Sequence, residues 1–257
     1  MSSIFKKRYF YLCFSLTILL ACKQHAFISK VDTEVISLDS TSLKKQDSVS
    51  LNLIKPYREK MDARMNVIMA YSEQVMLKDN PEGVLNNFVA DLILQKANEH
   101  YKPNDGKKID FCLLNNGGIR GALPKGAITL KNIYELMPFE NAIVIITLSG
   151  EKTLQMFNYI AKAGGEPVSG FTMGIKDTSA VNIYANGKPF DKNKNYKIVT
   201  SDYSANGGDR MTFFDKPVKR EDLTIKLRDA IVEYVKEENA KGNTLKAKLD
   251  KRIYYEK

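Results

Sequence analysis

The chain has 257 residues, 27% charged and 44% hydrophobic, with 15 glycines, 8 prolines and no tryptophan, a globular composition that excludes a collagenous, repetitive or wholly disordered protein. Two histidines, His25 and His100, and three cysteines, Cys13, Cys22 and Cys112, are too few for a Cys/His zinc cage or a His-rich dinuclear metal centre. The formal charge of +9 favours anionic partners. The lysines are scattered without a block of like charge, so the charge alone does not choose among nucleic acid, phosphate-bearing metabolites and a membrane surface.

Residues 1–21 read as a secretion signal. The basic stretch Lys6, Lys7, Arg8 precedes an apolar run from Tyr9 to Ala21 that is too short for an ordinary spanning helix. The run ends Leu19-Leu20-Ala21-Cys22, which resembles the bacterial lipoprotein box. That resemblance implies cleavage before Cys22, acylation of its thiol, and an exported, membrane-anchored protein facing the periplasm. Cys112 is then the single remaining thiol. Lying between Phe111 and Leu113, it is predicted to be a small buried core residue. Residues 22–50, rich in Ser, Thr, Asp and Lys, have the composition of a flexible tether, and residues 51–257 are expected to form the folded domain.

Within that domain, apolar residues at helical spacing predict an amphipathic helix over residues 51–64, and alternation between Met65 and Leu77 suggests two short strands. The stripe Leu85, Phe88, Val89, Leu92, Ile93, Ala97 predicts a helix over Val84 to Asn98, and Ile109 to Leu114 reads as a buried strand ending at Gly117-Gly118. Thr129 caps a short helix, Leu130 to Leu136, stopped by Pro138. A strand over Ile143 to Leu148 leads through Ser149 into the helix Leu154 to Ala163, which Gly164-Gly165 closes. Strands follow at Val168 to Ile175 and Val181 to Tyr184, with a hairpin turn at Asn186-Gly187. Tyr196 to Thr200 and Met211 to Phe214 read as strands, and Leu223 to Val235 as the last helix. Strands alternating with helices, interrupted by hairpins, predict an α+β fold: a mixed β-sheet packed with helices.

Three loops carry the chemistry. Asn115-Asn116-Gly117-Gly118-Ile119-Arg120 follows a buried strand and combines sharp backbone turns, amide donors and acceptors, and an arginine able to grip a phosphate in a bidentate fork. Met137-Pro138-Phe139-Glu140-Asn141 fixes an aromatic ring on a rigid loop. Asp202-Tyr203-Ser204-Ala205-Asn206-Gly207-Gly208-Asp209 adds a second aromatic and a carboxylate able to accept both hydrogen bonds of a ribose diol. Singly, each is ordinary turn chemistry or, for Phe139, a lid over the core. Together they hold the parts a nucleotide needs.

The run LLNNGGIRGALPKGAITLKNIYELMPFENAIVIITLSGEKTLQMF, with YKIVTSDYSANGGDRMTFF downstream, resembles the C-terminal domain of the 5′-nucleotidase, UDP-sugar hydrolase and cyclic-nucleotide phosphodiesterase family, over roughly residues 55–237. The resemblance implies that this domain holds the substrate, its base sandwiched between two aromatics. The family's NGGGIR motif falls on Asn115 to Arg120, with Asn116 in place of a glycine; Phe139 matches the first stacking aromatic. Tyr203 stands where the second is often Phe, before Asn206 and Gly207 of the ANGGD motif, and Asp209 matches the ribose-binding acid. Some members carry another phosphate-binding arginine in the segment that here reads Asp79-Asn80-Pro81-Glu82-Gly83, where none occurs. Family enzymes also have an N-terminal metallophosphatase domain with DxH, GNHE and GHxH motifs supplying two metal ions. These motifs do not occur in the 257 residues.

The function expected is therefore that of a nucleotide- or nucleoside-binding subunit of a split 5′-nucleotidase. It would present substrate to a separately encoded metallophosphatase, with divalent metals only in that partner and no cofactor or catalytic residue in this chain. The alternatives are a non-catalytic nucleotide- or nucleoside-binding lipoprotein and an interaction protein that kept only the fold. A hydrolase of another class is disfavoured because Ser201, Ser204, Asp202 and Asp209 have no histidine nearby to act as base. A nucleic-acid reader is disfavoured because the basic residues are not interleaved with an aromatic ladder.

Overall fold

The computed structural model describes residues 28–36 and 47–256. The predicted signal, Cys22 and parts of the predicted tether lie outside the described residues. The chain divides into two compact units, Met1–Leu53 and Ile54–Lys257. Residues 28–36 have no regular secondary structure and are exposed. Helix α1 (Ser48–Met65) starts where the Asp47 carboxylate accepts from the Val49 N–H at 3.0 Å. Its sequence stripe suggested an amphipathic helix, but no residue of α1 is buried.

The second unit contains β1 (Ile68–Ser72), α2 (Val84–His100), β2 (Phe111–Leu113), β3 (Gly126–Thr129), α3 (Leu130–Leu136), β4 (Ala142–Ser149) and α4 (Gly150–Ala163). It continues with β5 (Val168–Ser169), β6 (Phe171–Lys176), β7 (Ser179–Ala185), β8 (Lys188–Pro189) and β9 (Asn195–Ser201), then α5 (Asp202–Ala205), β10 (Lys219–Lys226), α6 (Leu227–Ala240) and β11 (Ile253–Tyr255). The central sheet has the order β10-β4-β9-β2-β5, with β2 and β9 parallel and the other neighbours antiparallel. A second sheet, β11-β6-β7-β8, and a β1-β3 pair complete the α+β architecture predicted from the sequence.

The central sheet is buried on both faces, and the alternation along its strands shows how. Ile143 and Ile145 of β4, Cys112 of β2 and Val199 of β9 face one core with α2, α6 and the β1-β3 pair. Val144, Ile146, Leu148, Phe111, Leu113 and Ile198 face a second core with α4 and the β6-β7 layer. A one-residue slip of any of these strands would exchange the two sets, so the register is strongly specified. Cys112 is fully buried, and desolvation pushes its thiol well above the ordinary range.

Local signals explain the boundaries that the sequence predicted. The Thr129 side chain accepts from the Asn132 N–H, and Asn132 returns a bond to the Thr129 N–H, a capping box for α3. Ser149 caps α4, and Gly164 ends it in the left-handed conformation at φ 76°. Asn186 and Gly187 have φ of 48° and 77°, as a tight hairpin between β7 and β8 requires.

Five expectations change. The strand read over Val168 to Ile175 is two, β5 and β6, in different sheets, with the chain turning between them at Gly170, φ 92°. Met211–Phe214 is a 3-10 turn rather than a strand, because Gly207, Asp209 and Arg210 all adopt positive φ and coil the chain before it can extend. The segment 219–226 is a strand on β4, and the last helix begins at Leu227 rather than Leu223; Leu223 and Ile225 alternate against the first core. Between Met65 and Leu77 there is one strand, β1, and an isolated bridge from Met76 to Leu123. Strands β3 and β11 were not foreseen; β3 pairs with β1, and β11 runs parallel to β6.

Helices α2 and α6 are joined by a buried cation. Lys96, 1% exposed, contacts Glu99 of its own helix, and Glu233 and Glu237 of α6 at 2.6 and 2.8 Å. Burial alone would lower the ammonium pKa, but the three carboxylates raise it, so it stays charged. Lys96→Met would leave three carboxylates facing one another and is expected to cost about 2 kcal/mol at neutral pH. Above the carboxylate range these groups are charged and repel; as pH falls they protonate in the variant. The Tm deficit against wild type should therefore be largest near pH 7 and shrink toward pH 4, as read by thermal melts across that range.

Candidate functional site

The parallel pairing of β2 with β9 brings the ends of both strands to one side of the sheet. The antiparallel register of Ile143 opposite Ser201 brings the start of β4 to the same side. The loops after β2, after β9 and before β4 consequently converge, in the crevice beyond strand ends where α/β sheets commonly bind ligands. There they form a cleft of about 290 Å³ lined by Asn115, Gly117, Gly118, Arg120, Phe139, Asn141, Tyr203 and Asp209.

In the first loop, Gly118 N–H donates to the Asn115 carbonyl at 3.0 Å and closes a 3-10 turn. Asn115 is 7% exposed and donates through Nδ2 to Asp209 Oδ2 at 2.6 Å, linking the first loop to the third. Arg120 is exposed and, among the described residues, its guanidinium makes only a long 3.5 Å contact to the Gly117 carbonyl, which leaves its fork available to an anion. Asn116 does not line the cleft. Its side chain donates to the Gly165 carbonyl at 3.1 Å and accepts from Asn86 at 2.9 Å, bracing the loop from behind. Lys78, which sequence reasoning missed, adds to that brace by donating to the carbonyls of Asn116 and Ile119 at 3.0 and 2.6 Å.

The second loop is held by the start of α6. Arg228, 6% exposed, donates to the carbonyls of Met137 and Phe139 at 3.4 Å, pairs with Glu140, and lies 4.2 Å from the Tyr134 ring centroid. Lys226 also pairs with Glu140, and the Leu227 N–H donates to the Asn141 carbonyl at 2.9 Å. Phe139 stays 42% exposed at the end of this tethered segment. No sequence motif announces Arg228, since its partners lie some ninety residues earlier.

In the third loop Ser201 accepts from the Ser204 N–H at 3.0 Å and caps α5; both hydroxyls are buried and bonded to each other. Tyr203 is 46% exposed and lies against Gly208, where an added Cβ would sit 2.4 Å from the ring's Cε1, so only glycine leaves room for the ring. Asp209 has φ 51°; its Oδ1 accepts from the Tyr203 hydroxyl at 2.9 Å and its carbonyl from the Tyr159 hydroxyl at 2.9 Å. Asn206 and Gly207 do not line the cleft: the Asn206 side chain accepts from Arg220 at 2.6 Å, and Gly207 makes the left-handed turn at φ 86°.

Behind the first loop lies a carboxylate that sequence reasoning missed. Glu166, 8% exposed, accepts from the Asn116 N–H at 2.7 Å. Desolvation raises its pKa to about 7; the Asn116 bond and Lys78 oppose the rise, and the charge of Asp209 adds to it.

The profile of the 5′-nucleotidase C-terminal domain matches residues 67–216, more than half of the chain. The chain belongs to the 5′-nucleotidase C-terminal domain family. It is 25% identical over 193 residues to a 5′-nucleotidase of Vibrio cholerae, covering 70% of this chain and 32% of that protein. Protein UshA of Yersinia enterocolitica is 32% identical over 108 residues, 39% of this chain and 19% of that one. The chain thus spans about a third or less of the length of these two relatives. The crystal structure of a 5′-nucleotidase precursor from Thermus thermophilus superposes with a TM-score of 0.69 at 25% identity, covering 80% of this chain and 43% of that one. The NAD nucleotidase of Haemophilus influenzae shares the fold with a TM-score of 0.60 at 17% identity, over 81% of this chain and 41% of that one.

Two outcomes test the site's electrostatics and bracing. Glu166 is more readily protonated when folded than when unfolded, so it costs no stability below about pH 4.5 and costs more as pH rises toward 7. Glu166→Gln keeps an acceptor for the Asn116 N–H; relative to wild type its Tm should be higher at pH 8 than at pH 5. Arg228→Met, which unties the Phe139 loop, is expected to destabilise by about 2 kcal/mol. It should also speed amide hydrogen exchange in residues 137–141 more than in β4, as mass spectrometry of exchanged peptides would show.

Proposed function

We propose that this domain captures a nucleoside or nucleotide in the cleft, with the base between Phe139 and Tyr203, the sugar toward Asp209 and the phosphate toward Arg120. The supporting observation is that one cleft gathers, from three separate loops, two half-exposed rings, a fixed carboxylate and a guanidinium with no close partner among the described residues. Stacking on each ring contributes about 1–3 kcal/mol, and the arginine adds a charge-assisted bond for a phosphorylated ligand. The domain's role is positioning: binding energy from the base orients the scissile phosphate bond for a metallophosphatase outside these 257 residues, encoded as a separate polypeptide. Export and anchoring through Cys22 belong to the same proposal and rest on the lipoprotein-like sequence alone.

Phosphate hydrolysis in such a system uses divalent metal ions to activate water. Among the described residues, Glu99, Glu233 and Glu237 bring their carboxylates within 4.8 Å of one another, but the Lys96 ammonium already bonds to all three. That arrangement does not fit a metal ion, and no hydrolytic step is assigned to residues of this chain.

Calorimetry with AMP, adenosine and UDP-glucose, repeated on Phe139→Ala and Tyr203→Ala, tests the capture step. Each substitution is expected to weaken binding by about 1–3 kcal/mol, and unchanged affinity in both removes the stacking arrangement. In a companion assay the chain alone with divalent metal should not turn over AMP, and adding the metallophosphatase encoded beside it should produce turnover. Equal turnover by that enzyme without this chain counts against presentation of substrate.

A further inference from the structure

We infer that the Tyr203 hydroxyl makes the sugar end of the cleft tolerant of a missing hydroxyl, so that ribonucleosides and deoxyribonucleosides are bound with similar affinity. This rests on the reading that the cleft takes a nucleoside with its sugar toward Asp209.

The Asp209 carboxylate is already held from two sides. Its Oδ1 accepts from Tyr203 Oη at 2.9 Å, and its Oδ2 from Asn115 Nδ2 at 2.6 Å. Its backbone is fixed as well, by the Tyr159 hydroxyl on its carbonyl at 2.9 Å and by the left-handed turn at φ 51°. A carboxylate offers about four acceptor positions, so each oxygen keeps one position for a ligand while retaining one donor from the protein.

That division decides selectivity. A site rejects an analogue lacking a hydroxyl strongly, by a factor of about 10⁴–10⁵, when its own polar groups are left without partners. Here the loss of one sugar hydroxyl leaves the corresponding Asp209 oxygen still bonded, to Tyr203 or to Asn115. The remaining penalty is a single partly compensated hydrogen bond. Phenylalanine at position 203 would supply the same flat face but no donor, leaving Oδ1 dependent on the ligand. The hydroxyl, and not the ring, is therefore the specificity determinant.

The test is calorimetry of the full chain with adenosine, 2′-deoxyadenosine and 3′-deoxyadenosine, for wild type and Tyr203→Phe, with a melting curve to establish that the variant is folded. In wild type the three affinities are expected to agree within about threefold. In Tyr203→Phe, at least one deoxynucleoside should bind about tenfold or more below adenosine. A wild type that binds adenosine but discriminates tenfold or more overturns the inference alone, and this holds whether or not the variant folds. So does a folded Tyr203→Phe whose ratios match wild type. A wild type that binds none of the three overturns both the nucleoside reading and the inference built on it.

Discussion

The parallel pairing of β2 with β9 is the constraint on which the site depends. Parallel neighbours end on the same side of a sheet, so the loops after both strands emerge together although Asn115 and Asp209 are 94 residues apart. Antiparallel β4, registered on β9 through Ile143 and Ser201, feeds its preceding loop into the same place. Burial of the sheet on both faces locks that arrangement, because a one-residue slip would exchange the residues of two separate cores. The cleft-lining loops can be rich in glycine and polar side chains because the scaffold that positions them is not.

Much of the scaffold was legible because its signals are local. Thr129, Ser149, Gly164 and the Asn186-Gly187 pair each act within a few residues, and the apolar runs of β4 and β9 are long enough to read unaided. Strand β10 was hidden because it opens with Lys219, Arg220, Glu221 and Asp222; only Leu223 and Ile225 alternate toward the core, and the following helix blurs its end. The segment Met211–Phe214 misled in the other direction. Its apolar residues are buried, but the positive-φ residues before it set a turn that periodicity does not report.

At the cleft, the residues that line it carry motifs, whereas those that brace them do not. Phe139, Tyr203, Arg120 and Asp209 stand out by type and by neighbouring glycines. Arg228, Lys78 and Glu166 act on backbone groups distant in sequence, and a side chain that binds a carbonyl leaves no mark on the sequence of its partner. Asn116 sits inside the motif, yet its amide fastens the loop to Gly165 and Asn86. The shape of the cleft is consequently fixed by interactions on its far side, which would lower the ordering cost of the capture proposed for it.

The state of Cys112 has a practical side. It is the sole cysteine of the unit Ile54–Lys257, fully buried, with a thiol that desolvation holds in its unreactive protonated form. A cysteine installed on the surface of this unit would meet a maleimide dye with no accessible thiol of the unit to compete, so once Cys13 and Cys22 are replaced a fluorescent reporter could be placed beside the cleft with Cys112 left in place.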